Sequence, residues 1–216
     1  MRAWRCGVAV IALVALYGCA TPRTPPDERT VAWSELRERL EALPQWHAEG
    51  RIAVRGTGDP GTVNFTWTES PGPGFRLRLE GPWGQNVGRL EVGAERAVLT
   101  TRRGLRYVGR DPARLVERLY GWQIPVAALR HWLVGLPGDS SDYRLDRFGR
   151  LARLDWQGWR IEYRRHRVVD GLDLPADLRA RHGGDGTEIR VAIDRWQLDG
   201  GEREPVDESP VPLMGG

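Results

Sequence analysis

Four histidines, two cysteines and one Gly-Asp-Ser block are the places where this 216-residue chain could carry covalent or metal chemistry. His47, His131, His166 and His182 are scattered, without a thiol or carboxylate cluster at ligand spacing, so no metal centre is expected. Gly138-Asp139-Ser140 has the form of the nucleophile block of some lipid esterases. Those enzymes place it after a first strand and supply Asp-x-x-His near the C-terminus. Here the block follows a helical stretch and no histidine has Asp three residues before it, so Asp139 and Ser140 are read as a turn or cap. Lys is absent from the chain, which removes any G-x-x-x-x-G-K-[ST] phosphate loop. No catalytic residue and no cofactor is expected.

The informative thiol is Cys19. Arg2 and Arg5 form a positive start, Gly7 to Leu16 is apolar and uncharged, and Leu16-Tyr17-Gly18-Cys19 follows. The apolar run is too short to span a bilayer, so a secretory signal is expected. With cysteine at the cleavage point it resembles a bacterial lipoprotein signal, in which the thiol is diacylated, residues 1–18 are removed and the new amino group is acylated. Cys6 leaves with the signal and Cys19 is consumed as the lipid anchor, so the fold must hold without a disulfide.

The formal charge of +3 drops to about +1 once Arg2 and Arg5 are removed, so the basic balance does not point to nucleic acid. Residues 19–30 read as acylated cysteine and tether: Ala20 to Thr30 is polar and proline-rich, and stretched out spans roughly 35–40 Å. Residues 199–216 read as a disordered acidic tail rich in Pro and Gly. Between them, residues 31–198 suffice for a single domain with one core.

That domain must be mainly β. Val63, Phe65 and Trp67 alternate with polar residues, as do Phe75, Leu77 and Leu79, then Trp159, Ile161 and Tyr163, then Ile189, Val191 and Ile193. One apolar face and one charged face mark antiparallel strands wet on one side. About eleven short strands are expected, near 46–55, 61–69, 75–80, 87–92, 96–101, 105–108, 142–146, 150–156, 159–166, 174–181 and 187–197. So many one-sided strands must curl into a barrel or half-barrel. Three helices interrupt them: one through Trp33, Leu36, Leu40 and Leu43 before Pro44, one from Asp111 as N-cap to Gly121, and one from Pro125 to Gly135. The latter two stand mid-chain, placed to cap a barrel mouth.

The apolar faces include Phe65, Trp67, Leu77, Leu79, Ile161, Tyr163 and Ile193, joined by Leu129, Trp132 and Leu133 of the third helix. These ten are the candidate lining of an interior cavity. The pattern alone favours a solid core over a hollow one. Gly81-Pro82-Trp83-Gly84 breaks the rule that turns are polar: Trp83 either folds back onto the core or stands out to meet a membrane interface.

Together these residues carry a resemblance. Gly50-Arg51-Ile52-Ala53-Val54, Asn64-Phe65-Thr66-Trp67, Gly81-Pro82-Trp83-Gly84, the stretch Gly121 to Gly138, Gly149-Arg150-Leu151 and Gln157-Gly158-Trp159 are similar to the LolB family of outer-membrane lipoprotein receptors. The likeness runs from about Trp33 to Trp196. It implies an incomplete antiparallel β-barrel of about eleven strands with a helical lid, of the LolA/LolB kind. It also implies partners: a LolA-type periplasmic carrier, acylated lipoprotein cargo and outer-membrane lipid, with no nucleotide hydrolysed. The expected place is the periplasmic face of the outer membrane, held by the lipid anchor, as a monomer. Pro82, Trp83 and Gly84 match the family's membrane-insertion loop, where the apolar probe is usually Leu. The alternatives are an anchored barrel binding a glycolipid or fatty acid, or a purely structural lipoprotein.

Overall fold

A computed structural model describes residues 28–56 and 60–198. The segments expected to be signal peptide and tail, Cys19, and most of the expected tether lie outside the described residues. The first helix, α1 (Glu28–Glu41), begins inside the segment expected to be tether. Its Trp33 and Leu40 are buried, and the Trp33 indole donates to the Tyr143 hydroxyl at 3.1 Å.

Six strands then run as successive hairpins: β1 (Trp46–Arg55), β2 (Gly61–Glu69), β3 (Phe75–Glu80), β4 (Asn86–Val92), β5 (Ala97–Thr101) and β6 (Arg106–Gly109). Two helices follow, α2 (Pro112–Tyr120) and α3 (Val126–Val134). Five strands complete the chain: β7 (Tyr143–Leu145), β8 (Leu151–Trp156), β9 (Trp159–Val169), β10 (Leu172–His182) and β11 (Glu188–Gln197). The expected segments and the observed ones agree closely, because period-two alternation and Gly-rich turns are local signals.

All eleven strands form one antiparallel sheet in the order β6-β5-β4-β3-β2-β1-β11-β10-β9-β8-β7. The chain starts in the middle, walks out to β6, and re-enters at β7 on the opposite edge before returning to close against β1. The two edges never pair. The barrel is therefore open, and the α2–α3 insertion connects its two free edges. α2 packs on β5, β6 and α3, while α3 packs on β10.

Sheets this wide coil, and bulges set where they bend. One lies between Glu49 and Gly50, where β1 meets β11. A side chain at Gly50 would place Cβ 2.0 Å from the Ala192 carbonyl oxygen, so only glycine permits that approach. A second lies between Pro175 and Asp177 in β10, and the Trp196 indole donates to the Pro175 carbonyl at 2.9 Å. The bent strands turn their apolar faces inward onto aromatic side chains. Trp67 stacks on Phe75 with centroids 4.3 Å apart, and Trp132 meets Trp156 and Trp159 at 5.8 and 5.9 Å.

Candidate functional site

The helix pair is built by local chemistry. Asp111 caps α2 by accepting from the backbone N–H of Ala113 at 2.9 Å, Pro112 opens the helix, and Gly121 ends it in the left-handed region. α3 ends the same way at Gly135, with Leu136 N–H donating to the His131 carbonyl at 2.9 Å. Val126, Leu129, Trp132 and Leu133 are thereby aimed at the concave face of the sheet, and all four are buried.

All ten candidate lining residues come together. Phe65, Trp67, Leu77, Leu79, Leu129, Trp132, Leu133, Ile161, Tyr163 and Ile193 are buried members of one continuous apolar core. The interior is apolar, and the α3 side chains Leu129, Trp132 and Leu133 are packed within it. Open space lies beside the helix instead. A groove of about 790 Å³ is bounded by Val126, Ala127, His131, Trp132, Pro137 and Trp156. A second, of about 550 Å³, runs between Leu40, Leu43, Trp46, Glu69, Arg130 and Leu136.

Polar contacts through Arg130 and Tyr163 hold α3 down. Arg130 on its outer side forms an ion pair with Glu69, the last residue of β2, whose side chain is buried. The Tyr163 hydroxyl of β9 donates to the Trp132 carbonyl at 3.1 Å. Burial pushes the Tyr163 hydroxyl far above its ordinary pKa, so it remains a donor. Burial, reinforced by the Arg130 charge, lowers His131 below the usual imidazole value and favours a neutral ring on the helix. These pins were not recognised from sequence, yet a signal existed. Glu69 continues the inward alternation Val63-Phe65-Trp67, and a carboxylate on an apolar face requires a partner.

Trp83 does not fold back onto the core: it stands out, 91% exposed. Gly84 N–H donates to the Gly81 carbonyl at 2.9 Å and Gly81 N–H to the Gln85 carbonyl at 2.8 Å, closing a tight tip. Gly84 adopts φ +75°, and the Trp83 N–H is taken by the Gln85 side chain at 3.0 Å. Pro82, Trp83 and Gly84 are all exposed at this tip between β3 and β4. Cys19 falls outside the described residues.

An antiparallel half-barrel, open along one seam and covered over its apolar interior by an inserted helix pair, defines the class. Residues 44–196 match the family model described as outer membrane lipoprotein LolB. A protein of Alkalilimnicola ehrlichii named outer-membrane lipoprotein LolB is 38% identical over 201 residues, covering 92% of this chain and 99% of its own. One of the same name from Pseudomonas paraeruginosa is 36% identical over 199 residues, covering 88% and 94%. Among solved structures, a DUF1329 family protein from Desulfovibrio piger has a TM-score of 0.52 at 11% identity, covering 82% of this chain and 96% of that one. A LolA superfamily protein from Nitrosomonas europaea has a TM-score of 0.50 at 9% identity, covering 77% and 93%. These structural likenesses speak for the fold.

The chain belongs to the LolB family, as the resemblance carried by its motifs had implied. It is a lipoprotein-localisation protein and not an enzyme. Asp139 and Ser140 have structural work instead: Asp139 accepts from the Trp156 indole at 2.6 Å, and the Ser140 hydroxyl donates to the Asp155 carbonyl at 2.7 Å.

Proposed function

We propose that this protein is an outer-membrane lipoprotein receptor that takes acylated lipoproteins from a LolA-type periplasmic carrier into its apolar interior and releases them into the outer membrane. Cys19, acylated, holds it at the periplasmic face, and the domain acts as a monomer. The single observation that supports this reading is the apolar interior of an open sheet covered by one helix pair.

The physics explains why such a device is needed. Each methylene brought out of an apolar environment costs about 0.8 kcal/mol, so three exposed acyl chains would set a barrier on the order of tens of kcal/mol. Chains must therefore pass from one sheltered interior to another. Displacing α3 gives the incoming chains the faces of Phe65, Leu77, Leu79, Ile161 and Ile193, and exchanges lid contacts for cargo contacts of the same apolar kind. Direction needs only a gradient of affinity, about 1.4 kcal/mol for each tenfold step, with the membrane as the last sink. No nucleotide is hydrolysed.

The test is transfer itself. The acylated protein reconstituted in liposomes is mixed with carrier loaded with radiolabelled, acylated cargo, without ATP. Cargo is expected to leave the carrier and pellet with the liposomes. Cargo that stays with the carrier overturns the reading.

A further inference from the structure

The Trp83 tip has a neighbour. β4 joins the two hairpins: Glu80 pairs with Asn86 beside the Trp83 tip, and two residues on Gly88 pairs with Thr101, the end of β5. The chain then turns through Arg102, Arg103 and Gly104 into β6. That turn is closed by Gly104 N–H on the Thr101 carbonyl and Thr101 N–H on the Leu105 carbonyl, each at 2.9 Å. Both tips thus project from the same end of the sheet, two strand spacings apart, on the order of 10 Å.

The second tip has a distinctive composition. Arg102, Arg103, Leu105 and Arg106 are all exposed, Leu105 to 55%. Between Glu95 and Asp111 the sequence holds Arg96, Arg102, Arg103, Arg106 and Arg110 and no acidic residue. Several arginines elsewhere on the sheet share carboxylates: Arg179, Arg181 and Arg190 share Glu188, Arg153 and Arg160 share Asp155, and Arg165 meets Asp177. At the β5–β6 tip no carboxylate lies within ion-pair distance of Arg102, Arg103 or Arg106 among the described residues.

We infer that the Arg102–Arg106 tip is a second membrane contact, which binds the head groups of anionic phospholipids while Trp83 enters the apolar layer beside it. Guanidinium groups pair with phosphate through paired N–H donors, and an exposed Leu between them matches the boundary of head group and acyl chain. An aromatic on one tip and cations with a leucine on the other suit a lipid surface better than an acidic protein groove. The inference rests on the reading of Trp83 as a membrane probe and adds lipid selectivity to it: the receptor docks tip-first on anionic bilayer.

The test uses the chain from Ala20 onward, which holds every described residue and lacks the anchoring Cys19. Its binding to vesicles of phosphatidylcholine alone, or with 30 mol% phosphatidylglycerol (roughly the charge needed for electrostatic docking), is measured by co-sedimentation. Binding to the anionic vesicles is expected to be at least about tenfold tighter and to weaken as salt is raised. Replacing Arg102, Arg103 and Arg106 by Ala together is expected to lower anionic-vesicle binding about tenfold or more, toward the neutral-vesicle level, with neutral-vesicle binding unchanged. The triple Lys variant is expected to retain it, and unchanged circular-dichroism melting checks the fold. Trp83→Glu separates the two readings: it should weaken binding to both vesicle types, and if it does not, Trp83 is not the probe while the Arg tip can still stand. Equal binding to both vesicle types, or an Ala triple variant that binds anionic vesicles normally, overturns the inference. So does a triple variant that loses carrier association instead, which would assign the tip to protein.

Discussion

Glu69 on β2 and Arg130 on α3 are joined as an ion pair, and the second Glu69 oxygen accepts from the Trp67 indole at 3.2 Å. The carboxylate is 4% exposed, so the charge is compensated by one helix residue and one indole. A helix over an apolar face gains little orientation from apolar packing alone. This contact supplies it, tying α3, which packs on β10, to the end of β2.

Arg130→Ala removes that compensation. A buried charge left without its partner is costly, but Arg130 is partly solvated, so a loss of about 1–3 kcal/mol in unfolding free energy is expected. Binding of an environment-sensitive hydrophobic dye should rise, because α3 is released before the sheet unfolds. Equilibrium denaturation and dye titration check both. The double variant Glu69→Gln with Arg130→Met should recover part of the stability.

Tyr163→Phe tests the other pin. It removes the hydroxyl from the Trp132 carbonyl while keeping the ring in the core, and is expected to cost about 0.5–1.5 kcal/mol. Hydrogen exchange should quicken in α3 more than in the neighbouring β9 and β10. Uniform quickening across the sheet would show that the bond stabilises the fold without holding the lid.

Trp83→Glu is expected to leave stability within about 0.5 kcal/mol of the parent, since the side chain meets solvent. Uptake of cargo from the carrier should continue while release into liposomes stops. Gly84→Ala makes a contrasting control: φ +75° disfavours any residue with a Cβ, so about 1 kcal/mol is lost and the tip is reshaped. Membrane delivery by Trp83→Glu at the parental rate would contradict the role proposed for the loop.

Acid sensitivity should centre on Glu188. The Arg179 guanidinium, aided by Arg190 at 2.6 Å and Arg181 at 3.2 Å, holds its carboxyl down at about 2. A carboxylate depressed in the folded state stabilises fully above its unfolded pKa, about 4.3, and loses that contribution as pH falls toward 2. Stability of the parent should therefore decline over that window, and Glu188→Gln should flatten part of the decline. The pair lies near the surface, so on the order of 1 kcal/mol is at stake, reduced by salt. Thermal melts at a series of pH values measure it.

How much was legible beforehand follows from how local each signal is. Alternation such as Val63-Phe65-Trp67 commits a strand and its buried face, and Asp111-Pro112 with Gly121 commits a helix and both its ends, because each is settled within a few residues of chain. The family motifs likewise lie in the sequence itself, as does the charge pattern around Arg102 and Arg103. The pairing of β1 with β11, which leaves β6 and β7 as free edges, joins residues more than a hundred positions apart and is expressed in no local pattern. Nor could Trp83 be assigned to solvent until the hydrogen bonds of its turn were present, or Glu69 be matched to Arg130 until α3 was brought to the end of β2. Sequence decides which side chains are apolar and which way each strand turns them. Only the tertiary structure decides that α3 occupies the interior those side chains enclose, since filling it is a matter of long-range packing against a sheet that must first have coiled.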